Sequence, residues 1–406
     1  VANDLALTGV SGPTYGMNGV PLDYSITVSN NGTAQQDAYT VELHSLNSRD
    51  LLASLTVTDP IAAGSTATHN ISWTPTVTGI YEIYASVVLT GDANSSNDES
   101  DAYTVGIFAA ESHLPYVGDM ESSTSGTSTP FNVFYKNSLA ETIYLAAEMQ
   151  MASGTINGIA YFNTFTQDVY IPVKIWMQET TAMVNDAWLP YEDYTLVYDG
   201  YVFFPAGTNS VVIPLQNPFT YSGGNLAVRT NRVMDTQYYS SSDKFYYTAD
   251  ANYPDRTRYY QNDSTEINPT DPALTATGTQ SDYIPNTAFI VDPYTAAPAP
   301  VMPANVQMAM DSGAAQLSWD AATGAYYYVV YSSDDPYTWT GDSITETEVY
   351  GTSYNPPSSA KKFFKVASRS YGHEIVPTSR LLNPQLNNAN GRTKDYKPTI
   401  GYENKD

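Results

Sequence analysis

The feature that most constrains this chain is the stretch GVPLDYSITVSNNGT at residues 19–33, in which apolar and polar side chains alternate. The apolar positions are Leu22, Tyr24, Ile26 and Val28. A period of two is that of a β-strand with one buried face. The Asn-Asn-Gly at residues 30–32 predicts a turn of residues that accept positive φ. Because the rest of the chain repeats this plan of short strand and polar turn, we predict an all-β protein.

The chain has 406 residues, which is too many for one hydrophobic core, so two to four domains are expected. Only 15 % of the residues are charged, whereas 35 are Tyr. Plentiful aromatic and β-branched residues are typical of folded extracellular β-proteins and argue against disorder. The absence of Cys excludes disulfides, thiolate metal sites and cysteine nucleophiles.

The net charge of −25 argues against nucleic acid and anionic lipid as partners, because both would repel an acidic protein. Residues 361–406 hold nine basic and four acidic side chains, and the 360 residues before them hold eight basic and 38 acidic ones. No apolar run reaches the ~18 residues of a spanning helix, so no membrane span is predicted. The chain starts at Val1 without a signal sequence, which fits either a secreted protein whose signal peptide has been removed or a chain that begins at an arbitrary point.

Residues 1–107 contain about seven short strands separated by turns, which is the spacing of a β-sandwich. A family likeness is carried by the segments NDLALTGVSGP, YSITVSNNGTAQQDAYTVEL and IAAGSTATHNISWTPTVTGIYEIYASVVLTGDANSSNDES. With their N-x-G-like turn, AGST turn, Trp-ended strand and D-x-N-x-x-N-D-E loop, they resemble the CARDB domain, the cell-adhesion-related domain of bacterial surface proteins. This resemblance implies an immunoglobulin-like sandwich in an extracellular protein and implies no enzyme activity.

Residues 108–130 are rich in Ser, Thr, Gly and Pro, which predicts a linker. Residues 131–295 form a second predicted β-domain, in which AAEMQMAS at 146–153 favours a short helical turn. Long loops with short strands are expected at 235–285. The stretches NSLAETIYLAAEM, GTINGIAYF, PVKIWMQET and NPFTYSGGNLAVRTN resemble the jelly-roll-type repeats of secreted multidomain proteins from Bacteroidetes-like bacteria.

Residues 296–303 lie in the Pro- and Ala-rich stretch PYTAAPAPVMP, which predicts an extended linker. Residues 304–385 contain the blocks LSWD and FKVASRS and resemble fibronectin type III domains. Residues 386–406 are a polar tail without a core of its own. We therefore predict tandem β-sandwich domains of immunoglobulin-like, jelly-roll-like and fibronectin type III-like kind, followed by an extended C-terminal tail.

No group of residues in the sequence predicts catalysis. The four His lie in separate segments and form no metal-ligand motif, and neither a G-x-S-x-G elbow nor a phosphate-binding loop occurs. Adjacent acids such as Glu192 and Asp193 would point to opposite faces of a strand, which argues against a glycosidase pair. We therefore predict a protein that is not an enzyme.

Tryptophan and serine residues suggest contacts with sugars. Trp73 and Trp319 each end an alternating strand and are expected in sandwich cores, whereas Trp188 and Trp339 lie in loop-like stretches where rings can stack on surface glycans. Two further positions, in the sequences Asp-Ser-Thr and Asp-Ser-Ile, resemble the O-glycosylation sites of such bacteria. They are Ser264 and Ser343.

The acidic loop DANSSNDESD at residues 92–101 is the candidate metal site. Its carboxylates are Asp92, Asp98, Glu99 and Asp101. Hard oxygen ligands on a flexible loop suit Ca²⁺, although the spacing is not that of an EF-hand. The alternative is a solvated acidic loop without a metal, and the sequence predicts no other cofactor.

The C-terminal tail is the candidate self-assembly segment. Its aromatic and aliphatic residues could seat in grooves or add to a sheet edge, and its basic residues would meet an acidic body. The residues concerned are Arg392, Lys394, Tyr396, Lys397, Ile400 and Tyr402. A tail that passes from copy to copy gives rings or open filaments. The alternative is a tail folded back on its own third domain.

These features predict a secreted bacterial cell-surface protein with a structural or adhesive role, and a homopolymeric extracellular filament as its more specific form. The alternative from another class is a carbohydrate-binding or accessory region of a secreted hydrolase. Converging Trp and Tyr in a cleft would favour that alternative, whereas tail or edge contacts between copies would favour the structural role.

Overall fold

The computed structural model describes residues 1–119, 122–274, 276–311, 313–339, 344–357, 362–372, 376–377 and 388–390. Within these ranges the strands form six sheets, which pack in pairs around separate cores, and the all-β prediction is confirmed. None of the described helices has the length and apolar character needed to cross a bilayer.

The first domain is a sandwich of two antiparallel-type sheets. Its strands are β1 (Leu5–Pro13), β2 (Tyr15–Met17), β3 (Leu22–Asn30), β4 (Tyr39–Ser45), β5 (Leu51–Val57), β6 (Thr66–Trp73), β7 (Gly79–Val88) and β8 (Tyr103–Phe108). One sheet has the order β1–β3–β6 and the other β2–β8–β7–β4–β5, in which only the β2–β8 pair among the described strands is parallel. A 3₁₀ turn at Ser95–Asn97 precedes β8.

Strand β3 confirms the alternation in the sequence, because its apolar residues are buried and the residues between them are mostly half-buried or exposed. The turn that follows differs from the prediction, since none of residues 30–32 has a positive φ. Instead, the buried Asn30 closes the turn: its amide donates to the Ile61 carbonyl at 2.9 Å and its Oδ1 accepts the Gly32 N–H at 3.0 Å. Glycine is required there because a Cβ on Gly32 would lie 2.3 Å from the Ala2 carbonyl oxygen.

The middle domain is a larger sandwich with one short helix. Its elements are β9 (His113–Leu114), β10 (Tyr116–Val117), β11 (Ser125–Gly126), β12 (Asn137–Tyr144), α1 (Ala146–Met149), β13 (Met151–Phe165), β14 (Val169–Thr180), β15 (Thr195–Phe204), β16 (Gly207–Tyr221), β17 (Asn225–Arg232), β18 (Lys244–Ala249), β19 (Thr257–Asn262), β20 (Thr279–Ser281), β21 (Tyr283–Pro285) and β22 (Thr287–Ala296). Two 3₁₀ turns lie at Tyr191–Asp193 and Pro272–Leu274. The expected helical turn near residue 146 is confirmed.

Two sheets enclose the core of the middle domain. One contains β11–β18–β13–β22–β9, with β16 also on β13, β10 on β22 and β21 on β18; the other has the order β15–β14–β17–β12–β19–β20. Large apolar side chains from both sheets, such as Phe204 and Phe289, are fully buried between them. The jelly-roll assignment of this sandwich stays a prediction.

Residues 108–130, which composition predicts to be a linker, instead contribute β9, β10 and β11 to the larger sheet of the middle domain. Leu114 and Val117 are buried there. The Ser and Thr residues around them gave the segment the composition of a linker, but two apolar side chains and strand pairing are enough to hold it on the sheet.

The third domain is small. Its strands are β23 (Gln307–Asp311), β24 (Ala314–Ser318), β25 (Tyr327–Ser333), β26 (Ile344–Val349), β27 (Ser353–Tyr354) and β28 (Phe363–Arg369), in sheets of order β23–β24–β27 and β26–β25–β28. The buried core comprises Leu317, Trp319, Tyr328, Val330 and Val366. The fibronectin type III assignment stays a prediction.

After β28 the described parts of the chain lie on the other two domains. Strand β29 (Val376–Pro377) pairs with β9 of the middle domain, and β30 (Asn388–Asn390) pairs with β1 of the first domain. The start of the predicted tail therefore adds a strand to the first domain, rather than folding back on the third domain.

The first and middle domains share a small apolar core. Tyr15 and Phe108 of the first domain pack with Val212 and Ile290 of the middle domain. At Gly106 a Cβ would lie 2.2 Å from the Pro214 side chain, so the two domains approach closely at this point. The two domains therefore bury apolar side chains against each other at this contact.

Candidate functional site

A buried charged cluster joins the middle domain to the third domain. Its centre is Glu148 of α1, whose Oε2 accepts the N–H of Leu145 at 2.9 Å and so closes the first turn of the helix. The guanidinium of Arg256 donates two hydrogen bonds to the same carboxylate, at 2.5 and 2.9 Å. Both side chains are almost completely buried, and a two-pronged Arg–carboxylate pair is the arrangement that tolerates such burial best.

Tyr326 brings the third domain into this cluster. Its hydroxyl donates to Oδ2 of Asp250 at 2.7 Å, and Arg256 donates to the same oxygen at 3.3 Å. The hydroxyl of Tyr253 in turn donates to the backbone carbonyl of Tyr326 at 2.5 Å. Burial, followed by the charge of Glu148, raises the pKa of Tyr326, so its hydroxyl remains a hydrogen-bond donor.

A cavity of about 200 Å³ lies beside the cluster. The rings of Tyr326, Tyr350 and Tyr371 line it together with Glu148 and Asp250. Of the charged side chains around the cavity, Glu148 and Asp250 both pair with Arg256, and Asp250 also accepts the hydroxyl of Tyr326, so the arrangement couples the two domains.

Sequence reasoning missed this cluster. Glu148 and Arg256 are 108 positions apart and belong to segments that composition marks as a helical turn and a loop. The available signal was the presence of Arg256 in a Tyr- and Asp-rich stretch, because an Arg among aromatic residues is often buried against a carboxylate.

The acidic loop of the first domain brings together three of its four predicted carboxylates. Asp92 organises the loop, because its two oxygens accept the N–H groups of Asn94 and Leu5, each at 2.8 Å. Glu99 faces Arg49 at 3.5 Å on the surface. Asp101 is exposed at the end of the loop. Asp4, 88 positions before Asp92, also joins this group, which only the fold reveals.

Asp98 is the acid of this loop whose pKa the fold raises. Burial, together with the charges of Asp92, Asp4 and Glu99, raises the pKa of Asp98 to about 6. Its Oδ1 is buried and, among the described residues, has no hydrogen-bond partner. In that same part of the chain no group of three or more His, Asp or Glu side chains converges so as to hold a metal ion. Calcium at this loop stays a prediction.

We expect Asp98 to destabilise the first domain as pH rises toward 7. A carboxyl whose pKa is raised on folding stabilises the folded state below its unfolded pKa of about 4 and loses that contribution as pH passes about 6. Thermal melting of the wild type and Asp98→Asn from pH 4 to 7 measures it: the variant should gain stability relative to the wild type as pH rises.

A constant difference between the two proteins would show that Asp98 titrates normally. The same melts in millimolar Ca²⁺ test the metal prediction, because binding to the folded state alone must raise the melting temperature. An unchanged first-domain transition would leave the loop as a solvated turn.

The predicted core residues Trp73 and Trp319 are confirmed, since each is 5 % exposed. Trp188 is half-buried and its indole N–H donates to the Ala276 carbonyl at 3.0 Å, so it ties two loops together. Trp339 lies under the ammonium group of Lys365, 4.1 Å from the ring centre. The two predicted glycan-stacking rings therefore lie in different domains and do not form one cleft.

Three other predictions concern surface positions. Ser264 is exposed in the loop after β19, where an attached glycan would meet solvent. Ser343 and the six tail residues Arg392, Lys394, Tyr396, Lys397, Ile400 and Tyr402 lie outside the described residues. Glu192 and Asp193 lie in an exposed 3₁₀ turn and not on a strand, so the strand argument against pairing does not apply to them.

Comparison with solved structures gives local similarities. The CARDB domain of a Pyrococcus furiosus protein, in complex with di-metal ions, is 22 % identical over 27 % of this chain and 96 % of its own, with a TM-score of 0.23. A domain of a putative cell surface protein from Methanosarcina acetivorans is 19 % identical over 27 % and 94 %, with a TM-score of 0.23. The secreted serine protease VesC from Vibrio cholerae is 10 % identical over 60 % and 49 %, with a TM-score of 0.20.

No curated protein matches the chain. The family model that does match is CARDB, over residues 2–105, which are β1–β8 almost in full. As a cell-adhesion-related family, CARDB indicates a surface or adhesion role. The first of the three domains is therefore similar to the CARDB family.

Proposed function

We propose that the protein is a secreted bacterial cell-surface protein with a structural or adhesive role, whose copies assemble head to tail through the C-terminal region. The CARDB likeness of residues 2–105 supports the surface role. The observation that carries the assembly is the pairing of β30 with β1, because it places the start of the tail on a sheet edge of the first domain. Sixteen more residues follow β30 in the sequence, which is enough chain to reach another molecule.

The interfaces between domains support a mechanical role. An apolar core joins the first domain to the middle one, and the charged cluster around Glu148 joins the middle domain to the third. A chain of three domains held in this way transmits force along its length better than domains on flexible linkers do. The carbohydrate-binding alternative receives no support from the rings of Trp188 and Trp339, which are engaged in separate domains.

We expect deletion of residues 391–406 to abolish assembly, while the melting of each domain stays unchanged. The deletion removes the segment proposed to bridge copies but keeps β30 on its own first domain. Sedimentation velocity and electron microscopy of the purified protein measure the assembly. Deletion of residues 403–406 is the matched control, because it shortens the tail without removing Tyr396, Ile400 or Tyr402. If the longer deletion assembled as the full chain does, the tail would not be the connector.

A further inference from the structure

The third domain has an apolar surface that its own described strands leave uncovered. Met308 of β23 lies opposite Leu317 of β24, and directly paired residues point to the same side of a sheet. Leu317 is buried in the core, so Met308 and Met310, two positions further along β23, face the inner side too. These two residues are nevertheless 48 and 71 % exposed, which the inner face of a complete sandwich would not show.

In the opposite sheet β28 is an edge strand. Among the described residues it pairs only with β25, and no described strand lies at its other edge. The hydroxyl of Ser368 in β28 donates to the carbonyl of Val301 at 2.5 Å, so the segment that leads into β23 lies against β28 at one end of this edge. One more strand beside β28 would therefore pair with this edge and cover the exposed apolar residues.

The described parts of the chain that follow β28 contact the other two domains. Tyr371 accepts the N–H of Gly118 in the middle domain at 3.0 Å. Beyond it, β29 pairs with β9 of the middle domain and β30 with β1 of the first domain. Residues 378–387 connect β29 to β30, so both ends of that segment are held on domains other than the third.

We propose that the open side of the third domain accepts residues 396–402 of a second copy as a seventh strand. The inference rests on the self-assembly proposed above and names its acceptor site. The segment reads YKPTIGY, in which every second residue is apolar or aromatic: Tyr396, Pro398, Ile400 and Tyr402. This is the period of a strand with one buried face. Pro398 fits an edge strand, where its missing N–H can face solvent.

The tail follows β30 on the first domain, whereas the acceptor lies on the third domain, so such a contact can repeat from copy to copy. Tyr396 stands six residues after Asn390, which lies on the first domain, and six extended residues span ~20 Å. The donor segment thus starts from the first domain and the acceptor lies on the third, so the contact is heterologous and propagates head to tail. Strand addition supplies backbone hydrogen bonds, and the apolar side chains that enter the face supply specificity.

Disulfide cross-linking tests the inference, because the chain contains no Cys. Met310→Cys is made in one preparation of the full chain and Ile400→Cys in another, and the two are mixed and oxidised. A disulfide forms only when the two Cβ atoms come within about 4.5 Å. The expected product is a dimer that links the two variants. Tyr238→Cys, on an equally exposed side chain of the middle domain, is the matched control and should link to Ile400→Cys at least about tenfold less.

Each outcome decides a separate point. Equal cross-linking of the control would overturn the inference, because the contact would be random collision. Copies that sediment as assemblies without the Met310–Ile400 cross-link would overturn the acceptor site but leave self-assembly standing, and chains that never assemble would overturn both. A double variant, Met310→Cys with Ile400→Cys, could instead cross-link only within single chains, or Leu382→Cys could form the disulfide with Met310→Cys in place of Ile400→Cys. Either result would show that the chain covers its own third domain, and the inference would fail.

Discussion

Glu141→Gln is expected to lower the free energy of unfolding of the middle domain by about 3–5 kcal/mol, because it leaves the buried charge of Arg229 without its counter-charge. Both side chains are fully buried, and Nε of Arg229 donates to Oε2 of Glu141 at 2.7 Å. Oε2 also accepts the hydroxyl of Tyr194 at 2.9 Å, and Oε1 accepts the N–H of Leu189 at 2.9 Å. The carboxylate therefore holds the covering loop on the outer face of β12.

Arg229→Met should lower the free energy of unfolding by a similar amount, because it leaves the buried carboxylate of Glu141 without a counter-charge. The double variant should be less destabilised than the sum of the single variants, since no unpaired charge then remains. Differential scanning calorimetry of the full chain resolves the transition of the middle domain from those of the other two domains. The matched control removes a surface pair: Glu99→Gln, whose partner is Arg49, should lower the free energy of unfolding by less than about 1 kcal/mol because both side chains are more than half exposed.

A loss below about 1 kcal/mol in Glu141→Gln would contradict this assignment. It would mean that the guanidinium finds other partners of equal strength. The structure offers two, because Arg229 also donates to the carbonyls of Pro269 and Leu189. These carbonyls are neutral, so they cannot replace the charge of Glu141, and we expect the larger loss.

Trp73→Ala should destabilise the first domain by about 3–5 kcal/mol, because it removes a large buried side chain and leaves a cavity. Trp73 lies at the end of β6 with its ring 5.0 Å from that of Tyr81, in an edge-to-face contact. Trp319→Ala should destabilise the third domain by a similar amount, because the small core of that domain has few other large side chains near the ring. Calorimetry of the full chain measures both losses as shifts of separate transitions.

The control for this pair is Trp339→Ala, since that ring is half-exposed and contacts a lysine on the surface. It should change the stability of the third domain by less than about 1 kcal/mol. Equal losses in Trp319→Ala and Trp339→Ala would show that the third domain has no distinct core, which would also remove the basis for an open side at β23.

Much of the local structure follows from the sequence because it depends on neighbours along the chain. The period of two at β3, the buried tryptophans at the end of β6 and directly after β24, and the helical turn at α1 were all readable from spacing and residue type. The likeness of residues 2–105 to CARDB was readable for the same reason, since its turns and strands stand in order.

Composition gives the wrong prediction for segments whose structure depends on residues far away in the sequence. Residues 108–130 have the polar composition of a linker, yet β22 and β18 recruit their short strands into a sheet. The Asn-Asn-Gly turn depends on the approach of Ala2, which forces a glycine at residue 32 without any positive φ. Neither outcome is visible within a window of neighbouring residues.

The sequence by itself determined the all-β plan, the strand faces and the polar character of the tail, because side-chain alternation and turn residues act locally. Only the tertiary structure decided which charges are buried together and where the chain goes after β28. Glu148 meets Arg256 and Glu141 meets Arg229 across separations of 108 and 88 residues, and β30 meets β1 across almost the whole chain. Such pairings depend on which surfaces the folded domains bring within hydrogen-bond distance. The residues next to a polar side chain in the sequence do not indicate which distant residue it will pair with.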